Sequence, residues 1–331
     1  MAILPGCRRK TPAPSAPEVT SAVTPEPCIV HAWFDLPTDV RSRELSGIAW
    51  EGATRTLWAV QDERPTIVPI VPDDDLRAWT LGTPVTINTQ LPLDLEGIVV
   101  TPKSFIVASE IGPKVIELDR QGEVMGPIPL PSHFTTARSN RSLESLTVSP
   151  DGTQLFTTSE WTLGCDGATP TTTHGSHVRI LRISRDGKKV DEHAYASDPT
   201  PHSGGDYGVA DLAALDNDQL LVLERGWTAK VGNTARIYRT SLAQPEASCL
   251  DASHLDDAPT LKKELLVDLG ALPARGLPAP RQAQPTPLLD NYEGMALGPK
   301  LKDGRQSLIL VTDDNNRPDQ IARLLVLGVT L

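Results

Sequence analysis

Carboxylates recur at matching places along this chain. Glu96, Glu144, Asp211 and Glu293 each stand at or near the head of a short apolar run, and Asp62, Glu110, Glu160, Glu224, Asp313 and Asp314 each close the run that follows. Acids gathered at one opening repel one another and raise one another's pKa unless a cation sits among them. A hard divalent ion with oxygen ligands, Ca2+ above all, suits several carboxylates held at flexible geometry. Glu96, Glu144, Asp211, Glu224, Glu293 and Asp313 are therefore expected to bind Ca2+; the plainer role for such acids is to cap strand ends or to pair with arginines. Arginines do stand beside them: Arg64 follows Asp62, Arg138 and Arg141 precede Glu144, Arg225 follows Glu224, and Arg317 follows Asp313-Asp314-Asn315-Asn316. Guanidinium forks recognise carboxylate and phosphate oxygens alike. On the functional reading Arg64, Arg138 and Arg317 hold an anionic substrate, while Glu144, Arg141 and Arg225 carry the chemistry.

The acids belong to a repeat. Its five copies begin at Glu44-Leu45-Ser46-Gly47-Ile48, Leu95-Glu96-Gly97-Ile98, Leu143-Glu144-Ser145-Leu146, Val209-Ala210-Asp211-Leu212 and Tyr292-Glu293-Gly294-Met295. Each continues through a turn into a second apolar strand that ends in acid, and Ser149-Pro150-Asp151-Gly152 is the clearest hairpin signal. Further strand candidates lie at 115–118, 178–183, 237–242 and 321–329, and amphipathic helical windows are nearly absent. Short strands with turn signals at a spacing of about 50 residues predict an all-β fold, a β-propeller of four-stranded blades. Five blades are counted, and the long segments 165–207 and 244–290 leave room for a sixth. The last copy is one strand short, so Cys28-Ile29-Val30-His31-Ala32-Trp33-Phe34 is expected to close the ring and remove its open edge. In such a blade the first strand starts where the second ends, which brings both sets of acids to one mouth.

Composition narrows the function classes. The chain has 331 residues, a formal charge of −11, 39% hydrophobic residues, 30 Pro and 24 Gly. That balance is globular and acidic, and it argues against nucleic acid as a partner. No apolar run approaches the roughly 20 residues needed to span a bilayer. Residues 1–27 read as a disordered Pro/Ser/Thr-rich tether ahead of one domain over 28–331. Within the tether Leu4-Pro5-Gly6-Cys7 resembles the end of a bacterial lipobox, which predicts a lipid anchor at Cys7 if an export signal lies upstream. The expected location is then extracytoplasmic, in the periplasm or as an outer-membrane lipoprotein, and the expected state is a monomer. A Cys165–Cys249 disulfide follows as a corollary of export. There is no C-x-x-C for a cysteine zinc site, no Gly-x-Ser-x-Gly nucleophile elbow and no glycine-rich phosphate loop. His174 with His177, or His202 with Asp206, are candidates to share a metal, against the simpler reading of a solvated loop.

Taken together, Leu45-Ser46-Gly47-Ile48, Leu95-Glu96-Gly97-Ile98, Arg141-Ser142-Leu143-Glu144-Ser145-Leu146, Asp211-Leu212-Ala213-Ala214-Leu215 with Leu221-Val222-Leu223-Glu224-Arg225, and Asn291-Tyr292-Glu293-Gly294-Met295-Ala296 with Val311-Thr312-Asp313-Asp314-Asn315 resemble the bacterial phytase-like family, "esterase-like activity of phytase", over roughly residues 40–331. The resemblance implies an exported propeller with a phosphoester or ester hydrolase role. The more distant β-propeller phytases use a lysine-rich, calcium-filled face, whereas arginine predominates here, which disfavours phytate itself. Three readings follow for function: a Ca2+-dependent phosphoester hydrolase, a metal-dependent lactone or carboxylic-ester hydrolase, or an envelope-tethered propeller that only binds a small anionic or ester ligand.

Overall fold

The computed structural model describes residues 27–248, 254–256 and 258–331. The expected tether with Cys7, and Cys249, lie outside these residues. Strand β1 (Cys28–Asp35) leads into a first sheet of β2 (Leu45–Glu51), β3 (Thr56–Gln61), β4 (Thr66–Pro72) and β5 (Trp79–Leu81), with the two-residue β6 (Val85–Thr86) also paired to β4. A second sheet comprises β7 (Leu95–Val100), β8 (Ser104–Ser109), β9 (Lys114–Asp119) and β10 (Val124–Ile128). The third comprises β11 (Thr147–Val148), β12 (Gln154–Thr157), β13 (Gly175–Ser184) and β14 (Val190–Pro199), and the fourth β15 (Gly208–Ala214), β16 (Gln219–Thr228), β17 (Gly232–Ser241) and β18 (Lys263–Asp268). In the last, β19 (Tyr292–Lys300), β20 (Gln306–Thr312) and β21 (Arg323–Val329) are completed by β1, which pairs antiparallel with β21 from Cys28↔Val329 to Asp35↔Arg323.

The result is a five-bladed β-propeller closed by its amino-terminal strand. Inner strands β2, β7, β11, β15 and β19 touch in turn, and β19 returns to β2. The described residues contain no sixth blade. The room between residues 165 and 207 is taken up by loops and by the ten-residue strands β13 and β14. Five apolar clusters form the core, each between adjacent blades. Middle strands are packed on both faces, which is why Leu220 to Leu223 and Leu308 to Val311 run apolar without alternation. Trp58 shows what the aromatics do there: it meets Phe105 edge-on at 5.0 Å across the first and second blades.

One expected strand is mostly missing. The third copy pairs regularly only at Thr147–Val148, with a single bridge from Leu143 to Ser159. Side chains replace the ladder there: Thr157 Oγ1 donates to Ser145 O at 2.6 Å, and Ser145 Oγ accepts from Thr158 N at 3.2 Å. The adjoining hairpin forms as read, with Gly152 at φ +74 and Asp151 Oδ1 accepting from Ser149 Oγ at 2.6 Å. Cys165 carries a free thiol, and Thr136 Oγ1 donates to its sulfur at 3.2 Å. Among the described residues no helix is long and apolar enough to cross a membrane.

Candidate functional site

Backbone register decides which side chains reach the mouth. At the end of each second strand one residue reaches the level of the mouth: Asp62 N bonds Glu44 O, Glu110 N bonds Asp94 O, Glu160 N bonds Ser142 O, and Asp313 N bonds Asn291 O. In the fourth blade the residue at this level, paired with Gly208, is Arg225. Four blades thus offer an acid and one offers a guanidinium group. On the first strands a β-bulge follows. The ladder skips Glu96 between Leu95↔Ser109 and Gly97↔Ala108, Glu293 between Tyr292↔Thr312 and Gly294↔Val311, and Ala210 between Val209↔Glu224 and Asp211↔Leu223. A bulge re-aims the extra residue, and Glu96 and Glu293 are buried at the cavity wall.

The cavity so formed has a volume of about 360 Å3. Its wall carries nine carboxylates, Asp62, Glu63, Asp94, Glu96, Glu110, Glu144, Asp206, Glu293 and Asp313, against the guanidinium groups of Arg141, Arg225 and Arg317. That surplus of acid sets the electrostatics. Burial, then the neighbouring Asp94 carboxyl and the charge of Glu96, push Asp62 up to about 11. Burial, then the charge of Glu293, lifts Glu96 and Asp313 well above the carboxylate range, and burial followed by Glu96 does the same to Glu144. Glu110 rises to about 7, mainly by burial, while Ser142 N donates to its Oε1 at 2.7 Å. Arg225 answers part of the negative charge. Its Nη2 lies 2.8 Å from Glu293 Oε1 and 3.5 Å from Glu144 Oε1, and its Nη1 lies 3.7 Å from Glu160 Oε1. Arg141 spans Glu160 and Asp206, each at 3.0 Å, and packs 4.8 Å over the Trp161 ring.

The rest of the negative charge gathers on the opposite arc. In a ring of five, the fourth blade faces the junction of the first and second, and there Asp62, Asp94 and Glu96 place carboxylate oxygens within 4.8 Å of one another. Ser46 Oγ donates to Glu96, while Asp94 Oδ1 is buried without a hydrogen-bond partner. An all-oxygen donor set with an orphaned carboxylate oxygen fits a hard divalent cation such as Ca2+.

Of the residues read from the sequence, Glu96, Glu144, Glu293, Asp313, Arg141, Arg225 and Arg317 come together at this cavity. Asp211 does not. It sits at the register held by Gly97 and Gly294 elsewhere, and its side chain accepts from Met295 N at 2.6 Å and from Leu212 N at 2.8 Å, tying two inner strands together. Glu224 lies one residue short of the mouth, buried against Lys263 Nζ at 2.6 Å and Tyr195 Oη at 2.6 Å. Arg138 braces loops by donating to Thr162 O at 3.0 Å and Gly167 O at 2.8 Å, and Arg64 stays outside the cavity, 3.7 Å from Glu44. Asp314 caps its own turn and accepts from Glu44 N at 3.0 Å. Glu160 lies buried beneath, holding both arginines. Sequence reasoning missed Asp94 and Asn291, although the step before each first strand (Glu44, Asp94, Ser142, Gly208, Asn291) is polar or glycine in every copy and carried that signal; Asp206, read there as a metal partner of His202, instead lines this cavity and holds Arg141. Asn291 Nδ2 donates to Glu293 at 2.8 Å.

Comparisons with known proteins complete the description. No curated protein matches the chain. Among solved structures it is similar to Myxococcus xanthus glutaminyl cyclase (11% identity, TM-score 0.45, covering 92% of this chain and 100% of that one). Others are a putative oxidoreductase (glucose dehydrogenase) of Thermus thermophilus (12%, 0.43, 89% and 99%) and a luciferin-regenerating enzyme (14%, 0.41, 87% and 94%). The model of the phytase-like family, described as esterase-like activity of phytase, matches residues 41–316, and with five blades opening on one acid-lined mouth the chain belongs to that family.

Proposed function

We propose that the chain is a Ca2+-dependent hydrolase of small phosphate esters, working at the acid-lined mouth. The observation that carries this reading is the placement of the Asp62, Asp94 and Glu96 oxygens and the Arg141 and Arg225 guanidinium groups on one cavity of about 360 Å3. Asp62, Asp94 and Glu96 would hold the ion, whose chemistry there is to neutralise phosphate oxygens and to lower the pKa of a bound water. The chain's own groups do the rest. Arg225 Nε is buried without a partner and presents a donor to a developing negative charge. Arg141 steadies the opposite oxygen from its stack on Trp161. Glu144 and Glu160 hold Arg225 in orientation, which makes Glu144 a positioning residue. Glu110 keeps Oε1 on the Ser142 N–H and leaves its other oxygen to take a proton from water near neutral pH, as a carboxyl at about 7 can do. Arg317, exposed at the rim beside Asp319, would meet the anionic end of the substrate.

A second reading keeps the cavity and changes the substrate to a lactone or carboxylic ester. It is favoured by the nine carboxylates on the wall, which repel a dianionic phosphate more than a neutral ester. Aryl phosphates, phytate, lactones and aryl esters assayed with Ca2+ and with chelator separate the two. Phosphate release is expected to vanish in chelator, to return with Ca2+, and to fall by about a hundredfold or more in Asp94→Asn and Arg141→Ala variants that still fold. Ester or lactone turnover without phosphate release selects the second reading. Inactivity of folded, Ca2+-loaded protein across the panel leaves a ligand-binding propeller, tethered at the envelope.

A further inference from the structure

Away from the cavity, on the third blade, two imidazoles and a carboxylate meet. His174 ends the loop before β13 and His177 lies three residues on. Residues three apart on a regular strand point to opposite faces. Here the ladder slips between Gly175↔Pro199 and His177↔Ala196, and a Cβ at residue 175 would collide with Ser197 O, so the slip depends on glycine. With that slip the two rings lie together, centroids 4.7 Å apart at 55°.

Asp256 arrives from a distant segment between β17 and β18. Leu255 N bonds Asp166 O at 3.0 Å, and Gly167, at φ +151, leaves room for the Asp256 carboxylate where a side chain would clash. Asp256 Oδ1 then lies 3.7 Å from His174 Nε2 and 3.6 Å from His177 Nδ1. These separations are too long for hydrogen bonds. They are close to the ligand-to-ligand edges around an ion bound at about 2.0–2.1 Å. The same two nitrogens, His174 Nε2 and His177 Nδ1, are buried and lack any hydrogen-bond partner. All three ligand atoms fall within 4.8 Å of one another.

We propose that His174, His177 and Asp256 bind a divalent first-row transition ion of the zinc type, at a site separate from the carboxylate cavity. Two imidazoles and one carboxylate select such an ion over Ca2+. Its place in the fold gives it a role. His177 N donates to Thr162 Oγ1 at 2.9 Å, next to the Trp161 on which Arg141 stacks, so the ion pins residues 254–256 to the loop that backs the mouth.

The test is a Co2+ titration of the full chain, stripped of metal and held in excess Ca2+ so that the carboxylate cavity is saturated. One equivalent of Co2+ should give visible ligand-field absorption that Zn2+ abolishes by displacement. Losing even an outer-shell partner of a metal site costs about 10–100-fold in affinity, so His174→Ala and His177→Ala, checked for folding by circular dichroism, should bind at least about a hundredfold more weakly. Asp256→Asn, nearly isosteric at an exposed residue, should weaken binding at least about tenfold. An absent Co2+ signal in excess Ca2+, or one unchanged in these folded variants, overturns the site.

Discussion

Arg225 stands where four other blades carry Asp62, Glu110, Glu160 and Asp313, and this exchange governs how the surrounding acids titrate. Near the arginine, Glu293 and Glu160 have a fixed counter-charge; on the far arc Asp62 and Glu96 have none. A carboxyl whose pKa is raised in the folded state binds more protons there than in the unfolded chain, so stability falls as pH climbs from its ordinary value towards the raised one. For Glu110 that window runs from 4.5 to about 7, and for Asp62 from 3.8 to about 11. The protein in chelator should therefore lose melting temperature between about pH 5 and pH 8, and Ca2+ should restore more of it at the upper end. Melting in chelator that is flat or rises over this range, measured by circular dichroism, contradicts the account. At this scale the sequence was legible in residue type but not in register. Asp211 and Glu224 look like mouth acids in a string of letters. A bulge at Ala210 moves Asp211 to the glycine level, and Glu224 stops one residue before Arg225 takes the acid's place.

The inner strands owe their spacing to glycine. A Cβ on Gly97 would lie 2.5 Å from Leu146 N and 2.7 Å from Leu146 Cβ, and one on Gly294 would lie 2.5 Å from Ser46 O. Neighbouring blades thus meet backbone to backbone around the channel. Gly97→Ala should destabilise the fold by about 1–3 kcal/mol through overpacking. Gly52→Ala, whose nearest atom is Trp50 Nε1 at 3.8 Å, should be close to neutral in the same urea titration. Equal effects would remove close approach as the reason for the Leu-Glu-Gly-Ile pattern. Apolar runs and turn residues made most strands readable, because middle strands buried on both faces leave a continuous hydrophobic signal. The third inner strand was misread for a physical reason: its run Leu143 to Val148 repeats the Leu-Glu-small-apolar pattern of the second copy, yet hydroxyl groups on Ser145 and Thr157 take over the ladder's bonds.

At the scale of the whole molecule, closure joins the two ends of the described chain. Arg323, buried on β21, holds Asp35 at the end of β1 with Nε 2.5 Å from Oδ1, and Trp33 lies under the guanidinium group at 5.5 Å. Removing residues through Asp35 would bare the edge of β21, which is apolar from Leu324 to Val329. Such a truncation should melt lower and elute from size exclusion as oligomers or aggregate; a monomer of unchanged stability would show that the ring does not need this strand. Closure was legible because the fifth copy lacked a strand and the amino-terminal apolar run had no other partner, while the long loops around the mouth carried no pattern from which their contacts could be read. The single arginine in the fourth blade also gives the channel a polarity that five alike blades would lack. With a fixed guanidinium charge on one side and only carboxyl groups on the other, the lumen holds a transverse electric field. A small molecule with one charged end is turned by that field before it touches the wall, so the end with which it enters is set on approach.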